Sequence, residues 1–172
     1  MSNVKTIETS RLILQQSNIK DAAFFLELLN TTKWLLYIGD RNVHSVKDAE
    51  KYITERMLPQ FNELGYGNYT VIRKTDGIKI GSCGLYNREG VDGVDIGFAF
   101  LPTYESLGYA FESAQALLNL GKNKLKLSKI SALTTEENLQ SQRLIEKLGL
   151  KFIKKIKIPN DSETLCLYTI TF

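Results

Sequence analysis

The sequence predicts a mixed α/β fold: a mostly antiparallel sheet with one parallel strand pair and helices on both faces. Two observations carry this. A strand segment at 93–101 is followed by a helical segment at 106–122 and a second strand segment at 128–134. That connection is far too long for a hairpin, so the two strands run parallel. The other strand segments, 67–73 with 78–86 and 150–157 with 164–171, are joined by the turns Thr75-Asp76-Gly77 and Pro159-Asn160-Asp161 and can pair antiparallel. A chain of 172 residues is expected to form one domain over 1–172 with a proper core.

The elements follow in order. Residues 11–16 read as the first strand. Asn18 can cap a helix over about 19–30, with Ala22, Phe25, Leu26 and Leu29 on one face. Residues 31–44 read as a polar-aromatic loop carrying Trp34, Tyr37, Asp40, Arg41 and His44. Ser45-Val46-Lys47-Asp48 starts a helix that turns Ala49, Tyr52, Ile53 and Met57 inward, and Pro59 should kink or end it. After the two strands at 67–73 and 78–86, the 93–101 strand alternates Val94, Ile96, Phe98 and Phe100 onto a core face. Its other face carries Asp95, Gly97, Ala99 and Leu101. Such a face either leaves room for something to lie along the strand or is covered by a small-residue packing contact. Pro102 stops the strand, because proline cannot donate to a sheet ladder. Thr134-Thr135-Glu136-Glu137 reads as a capping box for a helix over about 136–148, with Gly149 at its C′ position.

Composition narrows the function classes. The net charge is only +3, with 22 basic residues mixed among 19 acidic ones, so no nucleic-acid footprint stands out. The locally basic runs 122–129 and 151–157 read as solvated faces. Neither a signal peptide nor an apolar run long enough for a bilayer is visible. Two cysteines, Cys83 and Cys166, in apolar strand contexts suggest a reducing, cytoplasmic setting without a disulfide. One histidine and no clustered Cys/His spacing argue against a metal.

The loop after Pro102 holds the chemistry. From Gly108 the apolar residues Ala110, Ala114, Leu117, Leu118 and Gly121 take helical spacing. The unpaired N–H groups of a helix start and the positive end of its dipole form an anion site. Gly108 removes the side chain where an anion would approach most closely.

The run Asp95-Ile96-Gly97-Phe98, Leu101-Pro102, Tyr104 and Gly108-Tyr109-Ala110 resembles the acetyl-CoA site of the GNAT N-acetyltransferases, and is most similar to their RimJ/RimL-type branch. Glu8-Thr9-Ser10-Arg11-Leu12-Ile13-Leu14, Gly65-Tyr66-Gly67-Asn68-Tyr69, Ile80-Gly81-Ser82-Cys83-Gly84-Leu85, Asn138-Leu139-Gln140-Ser141 and Glu146-Lys147-Leu148-Gly149-Leu150-Lys151-Phe152 extend the likeness, in order, over about residues 8–155. The resemblance implies that the two parallel strands splay and that the acetyl-pantetheine arm enters between them.

It also implies acetyl transfer from acetyl-CoA to an amine, either a small molecule or a protein N-terminus. Backbone N–H groups of Leu107, Gly108, Tyr109, Ala110 and Phe111 would hold the pyrophosphate, and Phe98, Ala99 and Phe100 would pair with pantetheine. The family places Arg or Gln where this chain has Glu105 and often a basic residue where it has Leu107, so Lys122 or Lys147 is a candidate source of positive charge. The helix tyrosine that protonates the leaving thiolate in many relatives is replaced by Ile145. Ser141 then becomes the expected acid, with Asn138 on the cofactor arm. Asp95 is a candidate base, with Cys83, His44, Asp40 and Tyr37 behind it. Trp34, Tyr37 and Asp40 are candidate substrate residues, in a site expected between the 31–44 loop and the 157–162 turn. The alternative is a non-catalytic acyl-CoA-binding domain with a sensing or docking role. No membrane or nucleic-acid partner is expected, and the protein would be a monomer or a homodimer.

Overall fold

The computed structural model describes residues 4–172. Among these residues eight strands form one sheet: β1 (Thr6–Glu8), β2 (Leu12–Gln16), β3 (Asn68–Arg73), β4 (Lys79–Asn87), β5 (Val94–Phe100), β6 (Lys129–Thr135), β7 (Lys151–Ile156) and β8 (Leu165–Thr171). Their spatial order is β1-β2-β3-β4-β5-β6-β8-β7. Every pairing is antiparallel except β5 with β6, which is parallel as the strand–helix–strand spacing requires.

Six α-helices cover the sheet: α1 (Ala22–Leu29), α2 (Thr32–Tyr37), α3 (Val46–Tyr52), α4 (Leu58–Leu64), α5 (Tyr109–Asn123) and α6 (Leu139–Lys147). On one face, Ala114, Leu117 and Leu118 of α5 and Ile145 of α6 pack on Leu14, Val71, Ile96 and Ile130 of the strands. A second cluster lies around α1 and α3, where Phe25, Leu28, Ala49 and Ile53 are fully buried and Leu101 joins them. No described helix is long and apolar enough to cross a membrane.

Besides end shifts of one to three residues and the unexpected first strand β1, three differences from the sequence reading stand out. The 31–44 segment contains α2, whose cap is the Thr31 hydroxyl accepting from the Trp34 N–H. None of its residues is fully buried, so it carries no amphipathic signal. Pro59 does not end the α3 rod. A π-turn over Ile53–Met57 lets the Leu58 N–H donate five residues back, to the Ile53 carbonyl, and Pro59 then falls in the first turn of α4, where its missing N–H matters least. The rod ends at Gly65, with φ of 77°. Finally, α6 starts at Leu139 and not near 136. Its N-cap is Asn138, whose Oδ1 accepts from the Ser141 N–H at 3.1 Å, whereas the Thr135 hydroxyl of the expected box is buried without a partner among the described residues.

Candidate active site

The parallel pairing of β5 and β6 is short. It runs through Val94↔Ile130, Asp95↔Ser131 and Ile96↔Ala132 and then stops. Beyond Ile96, β5 stays paired with β4 as far as Phe100, and β6 stays paired with β8. The strands therefore part, and the β5 edge from Gly97 to Phe100 keeps backbone groups with no strand partner on that side. A cavity of about 340 Å³ opens there. Phe98, Ala99 and Phe100 line it from the strand, Gly108, Ala110 and Phe111 from the start of α5, and Asn138, Ser141 and Lys147 from α6.

The α5 N-terminus points donors at this cavity. The first intrahelical bond runs from the Glu112 N–H to the Gly108 carbonyl, and no side chain caps the helix. The N–H groups of Tyr109, Ala110 and Phe111 are left for a ligand. Gly108 sits at φ 83°, and a Cβ added there would lie 3.2 Å from an Arg11 guanidinium nitrogen. Arg11 donates through Nη1 to the Leu107 carbonyl at 3.0 Å and through Nε to Glu112 at 2.6 Å. Its guanidinium also lies 4.4 Å from the centre of the Tyr109 ring. Neither Lys122 nor a residue inside the loop supplies the cation next to this turn. That cation is Arg11, from the turn between β1 and β2. Lys147 lies at the cavity wall with its ammonium 4.7 Å from the Phe111 ring centre, while Lys122 rests against Phe172.

Glu105, the residue of unexpected sign, also lines the cavity but is neutralised by an ion pair with Lys33 of α2. Lys33 donates as well to Gln140 Oε1 at 2.7 Å, and Gln140 reaches Ser106 Oγ at 3.4 Å. This strap ties α2, the 105–106 loop and α6 together across the cavity wall. On α6 the Ser141 hydroxyl has no protein partner among the described residues, and the Asn138 amide N–H₂ is likewise free, its oxygen being used as the cap.

A second cavity, of about 420 Å³, lies on the other side of β5. Trp34, Ile38, Phe98 and Ala99 border both cavities, so the two meet at Phe98–Ala99 beneath α2. The Trp34 Nε1 donor is buried there with no partner among the described residues, a cost that a bound acceptor group would remove. The floor is polar: Tyr86 OH donates to Asn68 Oδ1 at 2.5 Å, Ser82 OH donates to the same oxygen at 2.9 Å, and Asn68 Nδ2 donates to Ser17 Oγ at 2.8 Å. Thr70 donates to Asp21, so Ser17 donates to Thr70. The chain ends on the buried Asp21 carboxylate, which pairs with Lys79 at 2.7 Å.

The small face of β5 is divided between the two readings of it. At Gly97 the space is taken by packing, since a Cβ would lie 3.0 Å from the Tyr86 ring. At Ala99 the face is open to both cavities.

Other expected site residues lie elsewhere. Asp95 borders neither cavity. Its side chain is 2% exposed and lies 3.2 Å from Arg88; burial raises its pKa above the ordinary value and Arg88 opposes that rise. Leu107 and Tyr109 stand outside the cavity wall, Leu107 half-exposed and Tyr109 buried under Arg11. Tyr37 lines only the first cavity. Asp40 lines neither, and its carboxylate accepts from the Asn42 N–H. The Cys83 thiol is fully buried, which pushes its pKa to about 12. The 157–162 turn contributes to neither cavity, because Ile158 and Pro159 pack against Gly90 instead. Sequence reasoning did not find Arg11, Lys33 or Arg56 at a site. Each reaches its place from an element remote in sequence, so no local spacing marks it.

Comparison with known proteins agrees with the geometry. Residues 11–151 match the family described as the acetyltransferase (GNAT) domain. The chain is 29% identical over 160 residues to the uncharacterized N-acetyltransferase YnaD of Bacillus subtilis, covering 91% of this chain and 90% of that protein. Its fold superposes on the crystal structure of a GNAT-family acetyltransferase from Bacillus anthracis with a TM-score of 0.79 at 27% identity, over 96% of this chain and 98% of the other. The fold also matches, at a TM-score of 0.81 and 14% identity over 96% of this chain and 97% of the other, the RimL ribosomal L7/L12 alpha-N-protein acetyltransferase solved with coenzyme A.

Proposed function

The chain belongs to the GNAT acetyltransferase family, whose acyl donor is acetyl-CoA, and on that premise we propose that it acetylates a primary amine, a protein N-terminus or a small molecule, held in the second cavity. The observation that carries this is the meeting of two cavities at Phe98–Ala99, one built for an anionic, elongated donor and the other polar and open to solvent. Acetyl-CoA supplies an activated thioester, a diphosphate and a thin amide-bearing arm.

The residues present fit that donor. The three free N–H groups at the start of α5 would hold its diphosphate, beside the side-chain-free Gly108 and the Arg11–Glu112 ion pair. The unpaired β5 edge at Gly97–Phe100 offers amide partners to the arm, and the free Asn138 N–H₂ offers another. A β5 main-chain N–H would polarise the acyl carbonyl, and Ser141 would hold a proton for the departing sulfur, since Ile145 stands where many relatives carry a tyrosine. Asp95, fixed behind the cavity wall, holds Arg88 in position, and the amine proton leaves to water in the open second cavity. A cytoplasmic setting goes with this reading, since both cysteines are free and buried.

The test is thiol release from acetyl-CoA with a panel of amines, together with calorimetry on CoA. Turnover dependent on an amine is expected. CoA binding without turnover on any amine would favour the sensing or docking role.

A further inference from the structure

We propose that the acceptor is an amine that also carries an anionic group, a carboxylate or a phosphate, recognised by Arg41 and Arg56. This rests on the acetyltransferase reading above and names the substrate class of the same site.

Three arginines, Arg41, Arg56 and Arg88, line the second cavity, and no aspartate or glutamate does. The three come from separate parts of the fold: Arg41 follows α2, Arg56 lies in the π-turn and Arg88 follows β4. Arg88 is already compensated by Asp95, 3.2 Å away behind the wall. Arg41 and Arg56 take part in no ion pair among the described residues. Asp40, the acid adjacent to Arg41, caps the Asn42 backbone and stands outside the cavity. The cavity therefore carries two solvent-exposed arginines with no ion-pair partner among the described residues, over a neutral hydrogen-bonded floor of Asn68, Ser82 and Tyr86.

Two consequences follow. A polycation such as a polyamine is repelled, whereas a carboxylate or phosphate meets two guanidinium groups able to bind it bidentately. The same field disfavours the ammonium form of the acceptor and so raises the share of free amine. That helps a cavity whose lining holds no carboxylate base.

The experiment compares matched acceptors by acetyl-CoA turnover: L-glutamate against its diamide, O-phosphoethanolamine against ethanolamine, and spermidine as the cationic case. Wild-type protein should favour the anionic member of at least one pair by about tenfold in kcat/KM, the change that about 1.4 kcal/mol of differential interaction produces. The first pair reports carboxylate recognition and the second phosphate. In the double variant Arg41→Ser, Arg56→Ser the preference should collapse through KM, with CoA affinity by calorimetry unaltered. Arg41→Glu with Arg56→Glu should move the preference to spermidine. Wild-type protein that favours spermidine or the neutral members overturns the proposal and leaves the acetyltransferase reading intact. A protein that binds CoA and acetylates none of these amines overturns the proposal, and the acetyltransferase reading then stands or falls on the wider amine panel described above.

Discussion

Arg11 and Glu112 join the first hairpin to the first turn of α5. Arg11 Nε lies 2.6 Å from Glu112 Oε2, while Glu112 Oε1 accepts from the Arg11 N–H at 2.8 Å and from the Thr9 hydroxyl at 2.6 Å. One carboxylate thus fixes a guanidinium next to Gly108, 101 residues away along the chain from its own position. Burial alone would raise the pKa of Glu112, but the donors from Thr9 and Arg11 hold it below the ordinary 4.5.

The sign of the pH effect follows. A depressed carboxyl pKa adds stability above the unfolded value, and that stability is lost as pH falls through the folded one. Glu112→Gln should cost about 1.5–3 kcal/mol near neutral pH, the scale of hydrogen bonds to a charged group. Urea unfolding of both proteins checks this, and the gap between them should shrink as pH drops below 4.5.

Gly108 should tolerate no side chain. Gly108→Ala forces a Cβ into a left-handed conformation, costing about 1–2 kcal/mol, and brings it against Arg11. Gly108→Glu adds bulk and like charge at the proposed diphosphate site and should abolish measurable CoA binding by calorimetry. Unaltered affinity in that variant would remove the site from the α5 start.

Glu105 is held by Lys33. Glu105→Gln frees that ammonium beside the donor cavity and should leave CoA affinity unchanged or tighten it, most clearly at low salt. Weaker binding would mean that the strap from α2 through Gln140 shapes the cavity.

Ser141→Ala tests the acid. A positioned acid contributes roughly 10²–10⁴-fold to rate, so kcat should fall within that range while the Kd for CoA stays put. Full activity would assign the leaving sulfur's proton to water.

Gly81 is a packing constraint apart from the chemistry. A Cβ there would sit 2.4 Å from the Phe100 ring. Gly81→Ala should lower the unfolding free energy by about 1–3 kcal/mol, the range for overpacked cores, as thermal denaturation would read it.

The local signals in the sequence were enough for the parallel pair, the existence of α5 and the Gly108 turn, although the helix begins at Tyr109 and not at 106. Each depends on residues close in the chain: a helix-length connection, a proline that ends a strand, and a glycine before a helical period. The likeness to a known acetyltransferase family drew on the same ordered segments. Tertiary structure decided the rest. The splay after Ile96↔Ala132 depends on which strands pair further along, and no residue of β5 encodes it alone. Pro59 stays within a helical rod because a π-turn before it reassigns the donor that would have been missed. The charge beside Gly108 comes from Arg11, and the basic lining of the second cavity comes from three separated segments. Such electrostatic sites are sums over residues that folding brings together, so their sign is set by three-dimensional proximity and not by spacing along the chain.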